Sequence, residues 1–164
     1  MEHWIWNVLI VLATFIVMEG VAWLAHKYVM HGWLWRWHKD HHKKETEGFL
    51  EHNDFFFLVF AIPGIVCLAL GTMYGYRIPL WIGIGITLYG LAYFLVHDIF
   101  IHQRFKLFRN SDHWYFKAIR RAHKMHHKHL GKEDGECFGM LWVPMKYFFE
   151  QRNRKADPGK GLEI

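Results

Sequence analysis

A chain of 164 residues that is 52% apolar and 18% aromatic fits one domain, and it is too apolar for an ordinary soluble one. Its net charge of +5 is gathered into two regions, a matter of membrane topology rather than nucleic-acid binding, so no nucleic-acid partner is expected. Cys67 sits in an apolar run, and with Cys137 it makes neither a disulfide framework nor the C-x-x-C spacing of a zinc or redox site.

Trp4 to Ala25 is apolar apart from Asn7, Thr14, Glu19 and Gly20, long enough to cross a hydrocarbon core of about 30 Å. It lacks the basic start of a secretory signal and is too long for one. A polar segment, Lys43 to Asp54, precedes a second apolar stretch, Phe55 to about Tyr76, in which Pro63-Gly64 predicts a kink. Asn53-Asp54 reads as the N-cap of that helix in preference to a role at a metal site. Arg77-Ile78-Pro79 reads as a turn, and a third apolar stretch runs from Ile78 to Val96. Ser111 or Asp112 is the expected N-cap of an amphipathic helix reaching about Leu130. Its one face carries Phe116, Ile119, His123, His126, His127 and Leu130; the other carries Lys117, Arg121, Lys124 and Lys128. The face of cations reads first as simple membrane-surface charge, and otherwise as a surface for anionic lipid heads or an acidic electron donor. Phe138 to Phe149 is too short to cross and contains Pro144, so it is expected to lie at the interface, re-enter, or pack over the site. Gln151 to Ile164 reads as a frayed polar tail.

Five Lys/Arg fall between Lys27 and His52 and fourteen from Arg104 onward, against one near Arg77. The positive-inside rule then predicts three spans (about 4–25, 55–76 and 78–96), with the N-terminus outside and both histidine-rich regions in the cytoplasm. Trp4, Trp6, Trp33, Trp35 and Trp37 fit interfacial aromatic belts.

Ten of the fourteen histidines fall into four boxes: HKYVMH (His26, His31), HKDHH (His38, His41, His42), HDIFIH (His97, His102) and HKMHH (His123, His126, His127). In H-x2-H-H the i, i+3 and i+4 imidazoles share a helix face, a good chelate for iron, zinc or copper. In H-x4-H the pair is about 140° apart on an α-helix at roughly 100° per residue. Either the helix ends between them, or they flank a pocket and face different metals. Ten ligands are too many for one ion; five for each of two leaves a six-coordinate metal one open position. The expectation is a dinuclear, nitrogen-rich site. His129 lies off the ligand face, and His52, His113 and His3 read as solvated or hydrogen-bonded. Asp40 and Asp98 either orient ligand imidazoles or are solvated carboxylates. Glu19 either pairs within the bundle or lines a cavity. The expected architecture is all-α. A single domain over residues 1–164 forms an integral membrane bundle of about three spanning helices, with cytoplasmic and interfacial helices carrying the dinuclear site.

The segments AHKYVMHGWLWRWHKDHH (Ala25 to His42), GFLEHNDFFFLVFA (Gly48 to Ala61), VHDIFIHQR (Val96 to Arg104) and RAHKMHHKHLGKEDGECFG (Arg121 to Gly139) resemble the membrane fatty-acid hydroxylase superfamily. Within it they are most similar to bacterial β-carotene 3-hydroxylases, over about residues 4 to 142. The resemblance implies a non-haem di-iron monooxygenase of the bacterial inner membrane that hydroxylates carbon 3 of β-ionone rings. It would convert β-carotene to zeaxanthin and ketolated rings towards astaxanthin. It implies the ten box histidines as iron ligands, O2 as co-substrate, electrons from a ferredoxin-type donor with its reductase, and membrane lipid as surroundings. His129 and the acidic Glu133, Asp134 and Glu136 depart from the family pattern without touching the boxes. All-nitrogen ligation also suits zinc, which can replace iron during purification. The absence of H-E-x-x-H disfavours zinc-peptidase chemistry. Related hydroxylases or desaturases acting on fatty acyl or sterol substrates use similar boxes. A metal transporter would need ligands at mid-membrane, and a haem protein would need axial histidines deep in the spans. Here the boxes lie at the membrane edge.

Overall fold

The computed structural model describes residues 3–43, 50–105, 107 and 110–156, with side chains through 153. Among these residues the chain is helical, with no strand. Helix α1 (His3–Leu24) runs into a π-helical turn, Ala25–Trp33, and then α2 (Trp35–His42). A 3-10 turn, His52–Phe55, leads into α3 (Phe56–Tyr74). Helix α4 (Arg77–Tyr93) runs into a second π-helical turn, Phe94–Ile101. Helices α5 (Trp114–His126) and α6 (Met145–Ala156) follow.

Three helical runs, His3–Trp33 with a kink at Gly32, His52–Tyr74 and Arg77–Ile101, are long and apolar enough to cross a membrane. Their apolar side chains face outward, as at Ile16, Ile65 and Met73, the arrangement that lipid solvates and water does not. The 22 residues of α1 measure about 33 Å at 1.5 Å per residue. The first histidines therefore begin where a core of about 30 Å ends. Between the helices, contact is made through small residues. A Cβ at Gly71 would lie 2.4 Å from Leu80 Cβ, and one at Gly85 would lie 2.6 Å from Thr14 Cβ. The backbones of α3 and α4, and of α1 and α4, approach because those atoms are missing. Met18, Ala22 and Tyr89 are buried at the α1–α4 contact, with Phe15, Phe60 and Ile86 packed around them.

Several expected boundaries move, each for a local reason. The second turn is Gly75-Tyr76, where Gly75 takes φ +74°, a conformation glycine adopts without a steric cost. Arg77 then opens α4, leaving Pro79 in its first turn, where a missing N–H is tolerated. Helix α3 passes through Pro63 as one unbroken run. The N-cap before α3 is Glu51 rather than Asn53 or Asp54: its N–H donates to Asp54 Oδ2 at 3.0 Å, and Asp54 N–H returns to the Glu51 carbonyl at 3.0 Å. Helix α5 starts at Trp114 behind His113, and Asp112 pairs with Lys117 instead of capping it. It stops at His126. Residues 151–156 continue α6, whereas 44–49 and 157–164 lie outside the described residues.

α5, α6 and the segment between them form a second core from Ala118, Ile119, Ala122, Cys137, Val143 and Tyr147. This layer sits over the π-helical ends of the spans: Arg120 Nη2 donates to the Phe100 carbonyl at 3.1 Å, and its guanidinium lies 4.4 Å from the Phe100 ring. We expect Gly85→Val to destabilise the α1–α4 contact by about 1–3 kcal/mol through overpacking. Gly90→Ala, where a Cβ meets nothing within 4 Å, should leave stability unchanged or raise it by up to about 1 kcal/mol. Thermal unfolding of both variants in detergent checks the pair.

Candidate metal centre

The spacing problem of H-x4-H is solved by neither route open to the sequence. Both boxes lie on π-helical turns. There the backbone bond spans five residues, as when His102 N–H donates to the His97 carbonyl at 2.8 Å. Residues five apart then stand on one face. His26 and His31 consequently reach one cluster, and His97 and His102 another.

In the first cluster the ligand atoms of His26, His31, His38, His42 and His126 all lie within 4.8 Å of one another, and in the second so do those of His41, His97, His102 and His123. His127 is the tenth. Its Nε2 lies 2.9 Å from His123 Nε2, and its ring stacks on His42 at 4.3 Å. It therefore stands at the boundary, bonded to the second cluster. The three imidazoles of each H-x2-H-H do not serve one cluster. The outer two, at i and i+4, share one, and the middle one crosses: His41 joins His97, and His126 joins His31. Neighbours such as His41 and His42 point about 100° apart, so each of these helices straddles the gap.

The hydrogen bonds decide where the protons are. A neutral imidazole carries one N–H. In the first cluster the Nδ1 atoms of four rings face acceptors away from the centre: His26 to the Phe138 carbonyl at 3.0 Å, His31 to Leu130 at 3.0 Å, His126 to Glu136 at 2.9 Å, and His38 to Asn53 Oδ1 at 2.6 Å. Their Nε2 atoms are then bare lone pairs. Yet His26 and His38 Nε2 are 3.0 Å apart, and His31 and His126 Nε2 are 3.1 Å apart. His42 Nε2 is 3.1 Å from both His31 and His38. In the second cluster Nε2 atoms also pair, at 3.1 Å (His41–His97) and 2.8 Å (His102–His123), and His41 Nδ1 faces Glu51 Oε2 outside the cluster. Lone pairs aimed at each other repel unless a cation lies between them. Bonds of about 2.1 Å to a metal place adjacent nitrogens about 3.0 Å apart at right angles, against about 3.4 Å for a tetrahedron. The observed separations match the right-angled arrangement, so the donor set fits a five- or six-coordinate metal.

Burial, reinforced by the surrounding imidazoles, keeps these rings neutral. It takes His38 down to about 2, His126 to about 3 and His127 to about 4, and holds His41, His42, His102 and His123 well below the ordinary histidine range. Neutral imidazole is the form that ligates.

The supporting groups depart from expectation in instructive ways. Asn53 is not a cap; it holds His38. Asp40 is neither solvated nor bonded to a ligand ring. It is buried, and its Oδ2 accepts the His52 N–H at 2.6 Å and faces His52 Nδ1 at 2.9 Å. That fastens the turn that carries Asn53 to α2. Asp98 Oδ2 lies 3.5 Å from His97 Nδ1, and its Oδ1 lies 3.2 Å from Arg104 Nε. Glu51 Oε2 faces His41 Nδ1 at 3.0 Å, a partner sequence reasoning missed. Its signal was present in the run Glu51-His52-Asn53-Asp54, all polar before an apolar span. Glu19 pairs within the bundle and lines a groove. Its Oε1 accepts N–H groups from Met140, Leu141 and Trp142 at 2.8, 2.9 and 3.0 Å, and its Oε2 accepts the Tyr89 hydroxyl at 2.8 Å. This pins the 137–143 segment so that the Phe138 ring lies 5.2–5.6 Å from the rings of His26, His31 and His126. Trp35 leaves the aromatic belt to pack on His31 and His42. His3, His52, His113 and His129 are exposed and outside both clusters.

A fatty acid hydroxylase family profile matches residues 11–150. The chain belongs to the fatty acid hydroxylase family. Within this family it is 47% identical to a beta-carotene hydroxylase of Pantoea ananas, over 86% of this chain and 79% of that protein. It is 44% identical to the beta-carotene hydroxylase of Pseudescherichia vulneris, over 84% and 77%. A chloroplastic beta-carotene 3-hydroxylase of Gentiana lutea is 38% identical over 77% of this chain and 40% of its own length. No solved structure gives a significant match. Membership and cluster together fit a metal-dependent oxygenase.

Asn53→Leu would leave the His38 Nδ1–H without its acceptor, and we expect metal affinity to fall about 10- to 100-fold. His129→Ala should leave it unchanged. Equilibrium competition against a chelator measures both.

Proposed function

We propose that the chain is a membrane di-iron monooxygenase that adds a hydroxyl at carbon 3 of the β-ionone rings of carotenoids, taking β-carotene to zeaxanthin and ketolated rings towards astaxanthin. The observation that carries this reading is the pair of neutral, all-nitrogen clusters at the ends of three apolar spans, in a chain so similar to proteins named for β-carotene hydroxylation. The ten histidines of the four boxes would hold the metals, five to each. Iron bound there would supply the activation of O2 that cleavage of an unactivated C–H bond requires.

The chain's own residues do the rest. The Nδ1–H bonds to Phe138, Leu130, Glu136 and Asn53 fix four rings in one tautomer and orientation before any substrate arrives. Phe138 covers His26, His31 and His126 and keeps water from their inner faces. A substrate dissolved in lipid meets the site at the depth where the spans end, and a rigid site selects one carbon by position. Atoms balance as R–H + O2 + 2e− + 2H+ → R–OH + H2O, so an external donor of the ferredoxin type is required. The exposed Lys124 on α5 and Lys128 just beyond its end supply a cationic face for an acidic donor. Basic residues cluster beside the boxes, which favours the inner membrane of a bacterium with the clusters cytoplasmic and the N-terminus outside.

Expression in cells that accumulate β-carotene tests the reading. Zeaxanthin should appear, iron chelation should abolish it, and added ferrous ion should restore it. An unchanged carotenoid profile with iron, O2 and donor present would overturn it. Alanine at any one of His26, His31, His38, His41, His42, His97, His102, His123, His126 or His127 should lower activity at least about 10- to 100-fold. His3→Ala and His113→Ala should stay near wild type.

A further inference from the structure

The two clusters are alike in their nitrogens and unlike in what stands behind them. In the first, every acceptor for a ring Nδ1–H is neutral: three backbone carbonyls (Phe138, Leu130, Glu136) and the Asn53 amide. In the second, carboxylates face the Nδ1 atoms of two of the rings, His41 within hydrogen-bond reach and His97 at the wider distance of an ion-pair contact. Glu51 Oε2 lies 3.0 Å from His41 Nδ1, and Asp98 Oδ2 lies 3.5 Å from His97 Nδ1. One guanidinium grips both: Arg104 Nη2 is 3.1 Å from Glu51 Oε2, and Arg104 Nε is 3.2 Å from Asp98 Oδ1. Asp54 adds a third carboxylate, bonded to Arg104 Nη1 and Nη2 at 3.0 and 2.7 Å. Three carboxylates against one guanidinium leave this side of the site anionic. Gln103, just before Arg104, takes φ +53°, a left-handed conformation that is uncommon outside glycine. The backbone is thus bent so that Arg104 turns back, its N–H donating to the Asp98 carbonyl at 3.0 Å.

A carboxylate draws the Nδ1 proton more strongly than a carbonyl does. The ring becomes a stronger donor through Nε2, and the nearby negative charge favours a more positive ion. We propose that Glu51 and Asp98, held by Arg104, make the position formed by His41, His97, His102 and His123 the more electron-rich of the two, so that it takes up metal first and holds it more tightly than the position formed by His26, His31, His38, His42 and His126. This rests on the dinuclear reading above. Glu51, Asp98 and Arg104 are positioning residues, acting through the rings they face. Asn53 is their neutral counterpart at His38.

The test loads the metal-free, full-length protein in detergent with Mössbauer-active ferrous ion under anaerobic conditions. At saturation two irons should bind per chain, with two distinct quadrupole doublets. At one equivalent, one doublet should dominate. Glu51→Gln keeps the shape and removes the charge. It should shift that doublet alone and weaken its site by about 10- to 100-fold. Asn53→Asp puts a carboxylate behind His38, and should shift the other doublet and even out the filling at one equivalent. Binding of a single iron at saturation would overturn the dinuclear reading and this inference with it. Two irons with equal filling at one equivalent, or with both doublets unmoved by Glu51→Gln and Asn53→Asp, would overturn the inference alone.

Discussion

Everything in this structure answers to one electrostatic constraint: bare imidazole lone pairs, buried and pointed at one another about 3 Å apart. In the first cluster the protons of four rings are turned outward, to Phe138, Leu130, Glu136 and Asn53, and so do not relieve these contacts. An arrangement so costly without a cation persists only if the scaffold around it is over-determined. The three spans, the α5–α6 layer and the 137–143 segment each supply part of that determination.

The spans contribute depth. Glycines where α1, α3 and α4 meet let the backbones close up, so the ends of α1 and α4 cannot slide relative to each other without a clash. Both ends then switch to π-helical turns, which realigns residues five apart. Glu19 carries the order across to the covering layer. One carboxylate accepts four donors, three from the 140–142 backbone and one from Tyr89. Through it α1, α4 and the strip bearing Phe138 are held as one body, and Phe138 in turn supplies both the carbonyl for His26 and the ring over the cluster.

The sequence carried the architecture and the histidines that the fold gathers because those rest on patterns: apolar runs of membrane length and four histidine boxes. It did not carry the π-helical turns. Residue spacing is read against an ordinary helix, and by that measure His26 and His31 diverge. A wider turn reverses the conclusion without changing a residue. Nor did it carry the supporting carbonyls of Leu130, Glu136 and Phe138, since every residue has one and only the fold says which is used. The misreading of Asn53 as a cap has the same root. An amide just before a helix suits a cap, and only proximity to His38, fifteen positions earlier, shows the better partner.

The crossing of His41 and His126 explains why two halves with unequal spacers work as a pair. Six residues separate His31 from His38, and twenty separate His102 from His123, so no rotation superimposes the connections. Superposition is unnecessary, because each H-x2-H-H helix needs only to lie between the clusters and present its outer histidines to one side and its middle histidine to the other. The longer spacer lets α5 reach its place from across the bundle. The exchange also means that neither cluster is complete within its own half: the first needs His126 from α5, and the second needs His41 from α2. Metal bound at either position would therefore tie the two halves together. Disturbing α2 or α5 reaches both clusters at once, because each helix carries histidines of both.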